Sequence, residues 1–158
     1  MEYARRILDD ELDELFGQVP AIAIDGPKGV GKTTTAEQRV AAVVRLDSKA
    51  IRESIAAEPE QVLARGRSLL IDEWQKVPEV WDVVRRAVDA DPTGGQFLLV
   101  GSASPASGAT AHSGAGRIGR LRMRPMTLSE RGVMQPTVSL RGLLDGGRGP
   151  LEIGRAHV

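Results

Sequence analysis

The stretch Gly26-Pro27-Lys28-Gly29-Val30-Gly31-Lys32-Thr33 satisfies the pattern G-x-x-x-x-G-K-[ST] at every fixed position. It constrains the fold more than any other part of the chain. Its glycines let the backbone curl, so that successive N–H groups converge on the oxygens of a phosphate group. Such a loop must open a helix, whose first N–H groups have no internal partners and whose dipole favours an anion. Lys32 supplies a mobile positive charge for β- and γ-phosphates, and the Thr33 hydroxyl can ligate a Mg²⁺ that bridges them. The predicted cradle is therefore Gly26, Pro27, Lys28, Gly29, Val30, Gly31, Lys32, Thr33 and the adjoining Thr34.

The flanking residues supply the required order of strand, loop and helix. Ala21-Ile22-Ala23-Ile24 is a short apolar run that reads as a buried strand, with Pro20 before it where a missing N–H is tolerable. Beyond the loop, Lys32 to Val43 places Ala36, Ala41 and Ala42 among long polar residues and predicts a helix.

The composition excludes several classes. A chain of 158 residues suffices for one domain, burying about two-thirds of its unfolded surface. Lysine plus arginine equals aspartate plus glutamate, 21 against 21, so no net charge draws the chain to nucleic acid or membrane. There is no cysteine, which excludes disulfides and thiolate metal sites. No apolar run reaches membrane-spanning length, and residues 1–16 are too charged for a secretory signal. The expectation is a soluble cytoplasmic protein.

Elsewhere, helix and strand signals alternate. Ile7, Leu8, Leu12, Leu15 and Phe16 recur at helical spacing with acidic residues between them, predicting an N-terminal amphipathic helix packed on the domain. Further strands are expected at 43–46, 68–71, 96–100 and 121–126, and helices at 49–57 and 78–90. Trp74 and Trp81 are expected to anchor the second of these helices to the sheet. Such alternation argues for an α/β fold, a mostly parallel five-stranded sheet covered on both faces. Residues 102–119 are rich in small residues and read as a long loop. Thr127 to Glu130 fits the start of a capped short helix.

A second acidic element completes the candidate site. In Leu69-Leu70-Ile71-Asp72-Glu73 a buried strand ends in two carboxylates at the edge where open α/β sheets bind ligands. Asp72 can hold Mg²⁺ through its water shell, while Glu73 is placed to polarise a water for attack on the γ-phosphate. Ser102, after the apolar run Phe97 to Val100, can reach the γ-phosphate or the attacking water. Arg117, after the small-residue loop, is a candidate arginine finger in its own subunit or a neighbour's.

The succession G-P-K-G-V-G-K-T, L-L-I-D-E-W-Q-K-V-P, F-L-L-V-G-S-A-S-P, G-A-G-R-I and L-R-M-R-P-M-T-L-S-E resembles the prokaryotic AAA-type ATPase-like proteins over roughly residues 3–144. The resemblance implies a RecA-like three-layer P-loop NTPase core, ATP as nucleotide, Glu73 as catalytic base, Ser102 as a sensor and, more loosely, Arg117 as finger. Members of that family are longer and continue into a C-terminal domain, and no helical lid is recognisable here. Residues 153–158, Ile-Gly-Arg-Ala-His-Val, are what ATC GGA AGA GCA CAC GTC encodes, a string that resembles a sequencing adapter. The expected organisation is thus an ATPase core over 1–150 and a non-native tail over 151–158.

These readings lead to Mg²⁺-dependent ATP binding and hydrolysis, coupled to a C-terminal domain beyond this sequence, with a homo-oligomer or protein partner open. The alternatives are a nucleotide-dependent switch with little hydrolysis and, behind it, a small-molecule kinase. A GTPase is disfavoured because no N/T-K-x-D motif is present; Asp47-Ser48-Lys49 does not supply one.

Overall fold

The computed structural model describes residues 3–101, 117–133 and 140–146, which fall into two compact units divided after Pro125. The first unit is built on a five-stranded sheet. Its strands are β1 (Ala21–Asp25), β2 (Ala42–Arg45), β3 (Leu69–Asp72), β4 (Phe97–Gly101) and β5 (Ile118–Arg122), in the order β2-β3-β4-β1-β5. Every pairing is parallel. The helices are α1 (Ile7–Phe16), α2 (Lys32–Glu37), α3 (Lys49–Ala57) and α4 (Glu79–Ala90), with 3-10 turns at Pro59–Arg65 and Trp74–Lys76.

Strand alternation sorts the apolar residues into two cores. Ala21, Ala23, Leu69, Ile71, Phe97 and Leu99 face one side, where α3, α4 and both tryptophans cover them. Ile22, Ile24, Leu70, Leu98 and Val100 face the other, against Leu12 and Phe16 of α1 and Ala36 of α2. With both faces buried, the central strands read as continuous apolar runs. Trp74 and Trp81 lie with ring centroids 4.8 Å apart, pinning α4 to the sheet as expected. No helix among the described residues is long and apolar enough to cross a membrane.

Three boundaries differ from the sequence expectation. The helix after the glycine-rich loop ends at Glu37, because the Ala41 and Ala42 amides donate to the Ser68 carbonyl at 2.9 and 3.3 Å and draw the chain into the sheet. The fifth strand runs over 118–122 rather than 121–126. Its last bond is from the Met123 amide to the Asp25 carbonyl, 2.7 Å, beyond which β1 has turned into the loop. In the second unit, Thr127 and Glu130 do form the reciprocal capping bonds, 2.6 and 3.2 Å, but the following residues make turns only. That unit also holds the short helix α5 (Leu140–Leu144), which the sequence did not announce.

One close approach fixes how the chain enters β4. A Cβ on Gly94 would lie 2.2 Å from the Gly17 carbonyl oxygen, in the turn that joins α1 to β1. Backbone cannot yield as a flexible side chain does. Gly94→Ala is therefore expected to destabilise the protein by about 1–3 kcal/mol, the usual cost of overpacking. Urea unfolding measures this, and an unchanged midpoint would refute the close contact.

Candidate functional site

The site grows from the carboxyl end of β1. Gly26, Gly29 and Gly31 have φ of 153°, 80° and 97°, a backbone region that side chains disfavour, and together they turn the chain from strand to helix. Gly26 is also sterically required: a Cβ there would sit 2.2 Å from the Met123 carbonyl oxygen. The Lys32 ammonium donates to the Gly26 and Pro27 carbonyls at 2.9 and 2.7 Å, so it lies across the loop. Because α2 is only six residues long, its contribution to anion binding comes from the first-turn amides rather than from a long dipole.

The sheet register brings the acidic element alongside. Asp72 on β3 is level with Val100 on β4 and hence with Ile24 on β1. The Thr33 hydroxyl donates to Asp72 Oδ1 at 3.1 Å, joining the two halves of the predicted site. Glu73 follows in the left-handed region, φ 58° and ψ 39°. A glutamate there stores strain of about 1–3 kcal/mol, a pattern concentrated at functional positions. Its carboxylate accepts a hydrogen bond from Gln75 Nε2 at 2.7 Å. Gln75 in turn fits because residue 101 is glycine: a Cβ there would come within 2.6 Å of Gln75 Oε1 and 3.0 Å of Trp74 Nε1.

The electrostatics are tightly balanced. Burial pushes the Lys32 pKa down, against the upward pull of Glu73, Asp72 and Asp25. Burial raises Asp72, and the Thr33 hydrogen bond opposes it. Burial likewise raises Asp25, opposed by Arg120, Lys32 and Arg122.

The structure thus brings together the loop residues 26–34, Asp72 and Glu73. Arg117 is not among them. It precedes β5, whose Ile118 pairs with Ala21 at the amino end of β1, and it forms an ion pair with Asp89 of α4. Ile118 is four strand residues, about 13 Å, from the level where β1 enters the loop. Arg117 therefore lies next to the amino end of the sheet, while the loop leaves its carboxyl end. Ser102 and the tail over 151–158 lie outside the described residues.

Several residues at the site went unread in the sequence. Asp25 and Arg6 carried no sequence signal that was read, and Asp9 was one of the acidic residues between the apolar positions of the N-terminal helix, yet Arg6 is 7% exposed and Asp9 fully buried. Arg6 Nη1 donates to the Val30 carbonyl at 2.7 Å and Nη2 to the Arg124 carbonyl at 2.8 Å. Asp9 accepts from the Tyr3 hydroxyl at 2.7 Å and the Arg6 amide at 2.5 Å, and pairs with Arg39 at 2.8 Å. The Tyr3 hydroxyl is also 3.0 Å from the Thr35 hydroxyl of α2.

The donor set fits a Mg–nucleotide ligand in one way. Among the described residues no group of three or more His, Cys, Asp or Glu can hold a metal alone. One hydroxyl and one carboxylate at 3.1 Å instead suit a Mg²⁺ whose remaining ligands are phosphate oxygens and water.

Comparison with known proteins agrees with this geometry. The family described as AAA domain matches residues 18–132. Proteins of Mycobacterium bovis and Mycobacterium tuberculosis, both described as uncharacterized, are each 29% identical over 133 residues. Each match takes in 81% of this chain and 30% of the relative, so the chain spans under a third of the relatives' length. Among solved structures, domain III of the Thermotoga maritima replication initiation protein DnaA superposes with a TM-score of 0.51 at 16% identity. That match covers 92% of this chain and 70% of the other, and it shows the fold.

The raised pKa of Asp25 yields a stability test. The folded state favours its protonated form, so this stabilising effect is complete at acid pH and is lost as pH rises through the folded pKa. Asp25→Asn is therefore expected to be more resistant to urea than the parent at pH 7, with the difference vanishing below the ordinary carboxylate range. A variant less stable than the parent at pH 7 would show that the surrounding cations outweigh burial.

Proposed function

The chain belongs to the AAA domain family, and on that premise we propose that it binds ATP with Mg²⁺ and hydrolyses it. The observation that carries this reading is the 3.1 Å hydrogen bond between Thr33 and Asp72, which joins the phosphate loop to the acidic strand. Two adjacent carboxylates beside a phosphate loop would repel a bare polyanion. A divalent cation reconciles them with it.

In this reading the amides of residues 26–34 cradle the phosphates, and Lys32 neutralises charge on the β- and γ-groups. Bound Mg²⁺ would supply charge neutralisation across the same phosphates, held by Thr33 and, through water, by Asp72. Glu73 takes a proton from the attacking water as its oxygen bonds to the γ-phosphorus; the bond from that phosphorus to the β,γ-bridging oxygen breaks and ADP leaves, while Gln75 holds the Glu73 carboxylate in place. Ser102, next after Gly101, is proposed to contact the γ-phosphate. The output is assigned to a C-terminal domain outside these residues. A cytoplasmic location suits that role, and arginine from another copy remains the proposed source of any finger.

The hydrogen bond from Gln75 to Glu73 also supports a second reading, a switch that binds ATP and turns it over slowly. Steady-state phosphate release separates the two.

Lys32→Ala is expected to abolish ATP binding in a calorimetric titration, and affinity near that of the parent would dismantle the site. Glu73→Gln is expected to keep ATP affinity while losing about 10²-fold or more in turnover, as removal of a general base does. Hydrolysis at the parent rate would remove Glu73 from the mechanism.

A further inference from the structure

Every cation expected at a phosphate site from the motif alone lies within or after the loop. Arg6 lies twenty residues before it, at the start of α1, and its guanidinium is nonetheless buried against the loop. It spans two carbonyls, Val30 inside the loop and Arg124 just past β5. The segment after β5 is itself pressed on the loop's first residue, since the Met123 carbonyl occupies the space a Cβ on Gly26 would need. Arg6 thus ties the middle of the loop to the backbone that supports its base.

The direction of the Val30 carbonyl has a consequence for the next amide. A trans peptide is planar, and its C=O and N–H point in opposite directions. No cis peptide occurs among the described residues. Holding the Val30 oxygen on Arg6 therefore holds the Gly31 N–H pointing away from Arg6, across the loop. Gly31 needs this help more than most residues, because a glycine at φ 97° has few steric limits of its own. A Cβ there would stand 3.6 Å from Arg6 Nη1, so the arginine packs directly behind it.

Arg6 is itself held. Its amide donates to Asp9 Oδ2 at 2.5 Å, and Asp9 is clamped by Arg39 and Tyr3, which reach it from the turn after α2 and from the N-terminal segment. The N-terminal segment is therefore joined to the phosphate loop by Arg6 on Val30, and α1 to the turn after α2 by Asp9 on Arg39.

We infer that Arg6 is a positioning residue of the nucleotide site: it presets the Gly31 amide for phosphate and adds a buried positive charge behind the loop. This rests on the ATP-binding reading above.

The test is calorimetric titration of the full chain with MgATP and MgADP, alongside thermal unfolding without nucleotide. Arg6→Met keeps the apolar stem and removes all donors. It is expected to weaken both nucleotides about tenfold or more, as loss of a charge-assisted hydrogen bond would. At saturating ATP its turnover should stay within about twofold of the parent, the signature of lost uniform binding. Arg6→Lys, which can satisfy one carbonyl, should fall between. Leu12→Ala loosens the packing of α1 but leaves the guanidinium donors, and should lower the unfolding midpoint without a comparable loss of affinity.

A folded Arg6→Met protein with affinity within about twofold of the parent would overturn the inference. If Arg6→Met does not fold, parental affinity in Arg6→Lys does so instead. Equal affinity losses in Leu12→Ala and Arg6→Met would also overturn it, leaving only a general docking role for α1. Failure of the underlying reading looks different: the parent itself would not titrate, or Lys32→Ala would bind as the parent does.

Discussion

Asp9 is buried without any exposed surface, in a helix whose neighbouring acidic residues face solvent. A carboxylate left unpaired there would carry a desolvation penalty of several kcal/mol. Its partners therefore decide how α1 can sit. Arg39 must come from the turn just after α2, Tyr3 must fold back over the helix start, and the Arg6 amide must close the first turn. This placement of α1 satisfies all three. Since α2 is the helix that the phosphate loop opens, fixing α1 on α2 also fixes where the Arg6 guanidinium falls. The apolar residues Leu12 and Phe16 supply the burial, and the charges supply the register.

A division between rigid and strained parts follows from the sheet. The strands β1, β3 and β4 are buried on both faces and keep Asp72, Val100 and Ile24 level with one another. At the carboxyl ends of β1 and β3 the regular backbone stops, and residues with positive φ begin: Gly26 after β1 and Glu73 after β3. Glycine accepts such a conformation without penalty, but glutamate does not. The buried Trp74 that follows, packed at a tilt against Trp81, holds the turn in place. Strain at Glu73 is thus offset by packing on the opposite side of the chain.

Much of this was legible in the sequence because its signals are local. A glycine-rich loop after an apolar run specifies its own geometry, and the acidic pair after Leu69-Leu70-Ile71 specifies its edge of the sheet. The tryptophans announced an anchor by their size alone. What was not legible depends on distant pairing. The early end of α2 is set by the Ser68 carbonyl, some thirty residues away, and the start of β5 by β1. Arg6 and Asp9 carried the same residue types as the solvated charges beside them. Their burial comes from Arg39, Val30 and Arg124, none of which the periodicity of α1 can reveal. Gln75 was visible as a polar residue in a turn, but its bond to Glu73 needs the space left by a glycine on another strand.

The two arginines at opposite ends of β1 show how parallel register assigns roles. Arg117 just precedes β5 at the amino edge, where it pairs with Asp89, and the loop lies at the carboxyl edge. Arg6, remote in sequence, reaches the loop because the start of α1 lies where β5 ends, and the Arg124 carbonyl marks the junction. In a sheet whose strands all point one way, every strand end belongs to one of two edges. Arg6 reaches the loop from the carboxyl edge, and Arg117 stands at the amino edge, paired with Asp89.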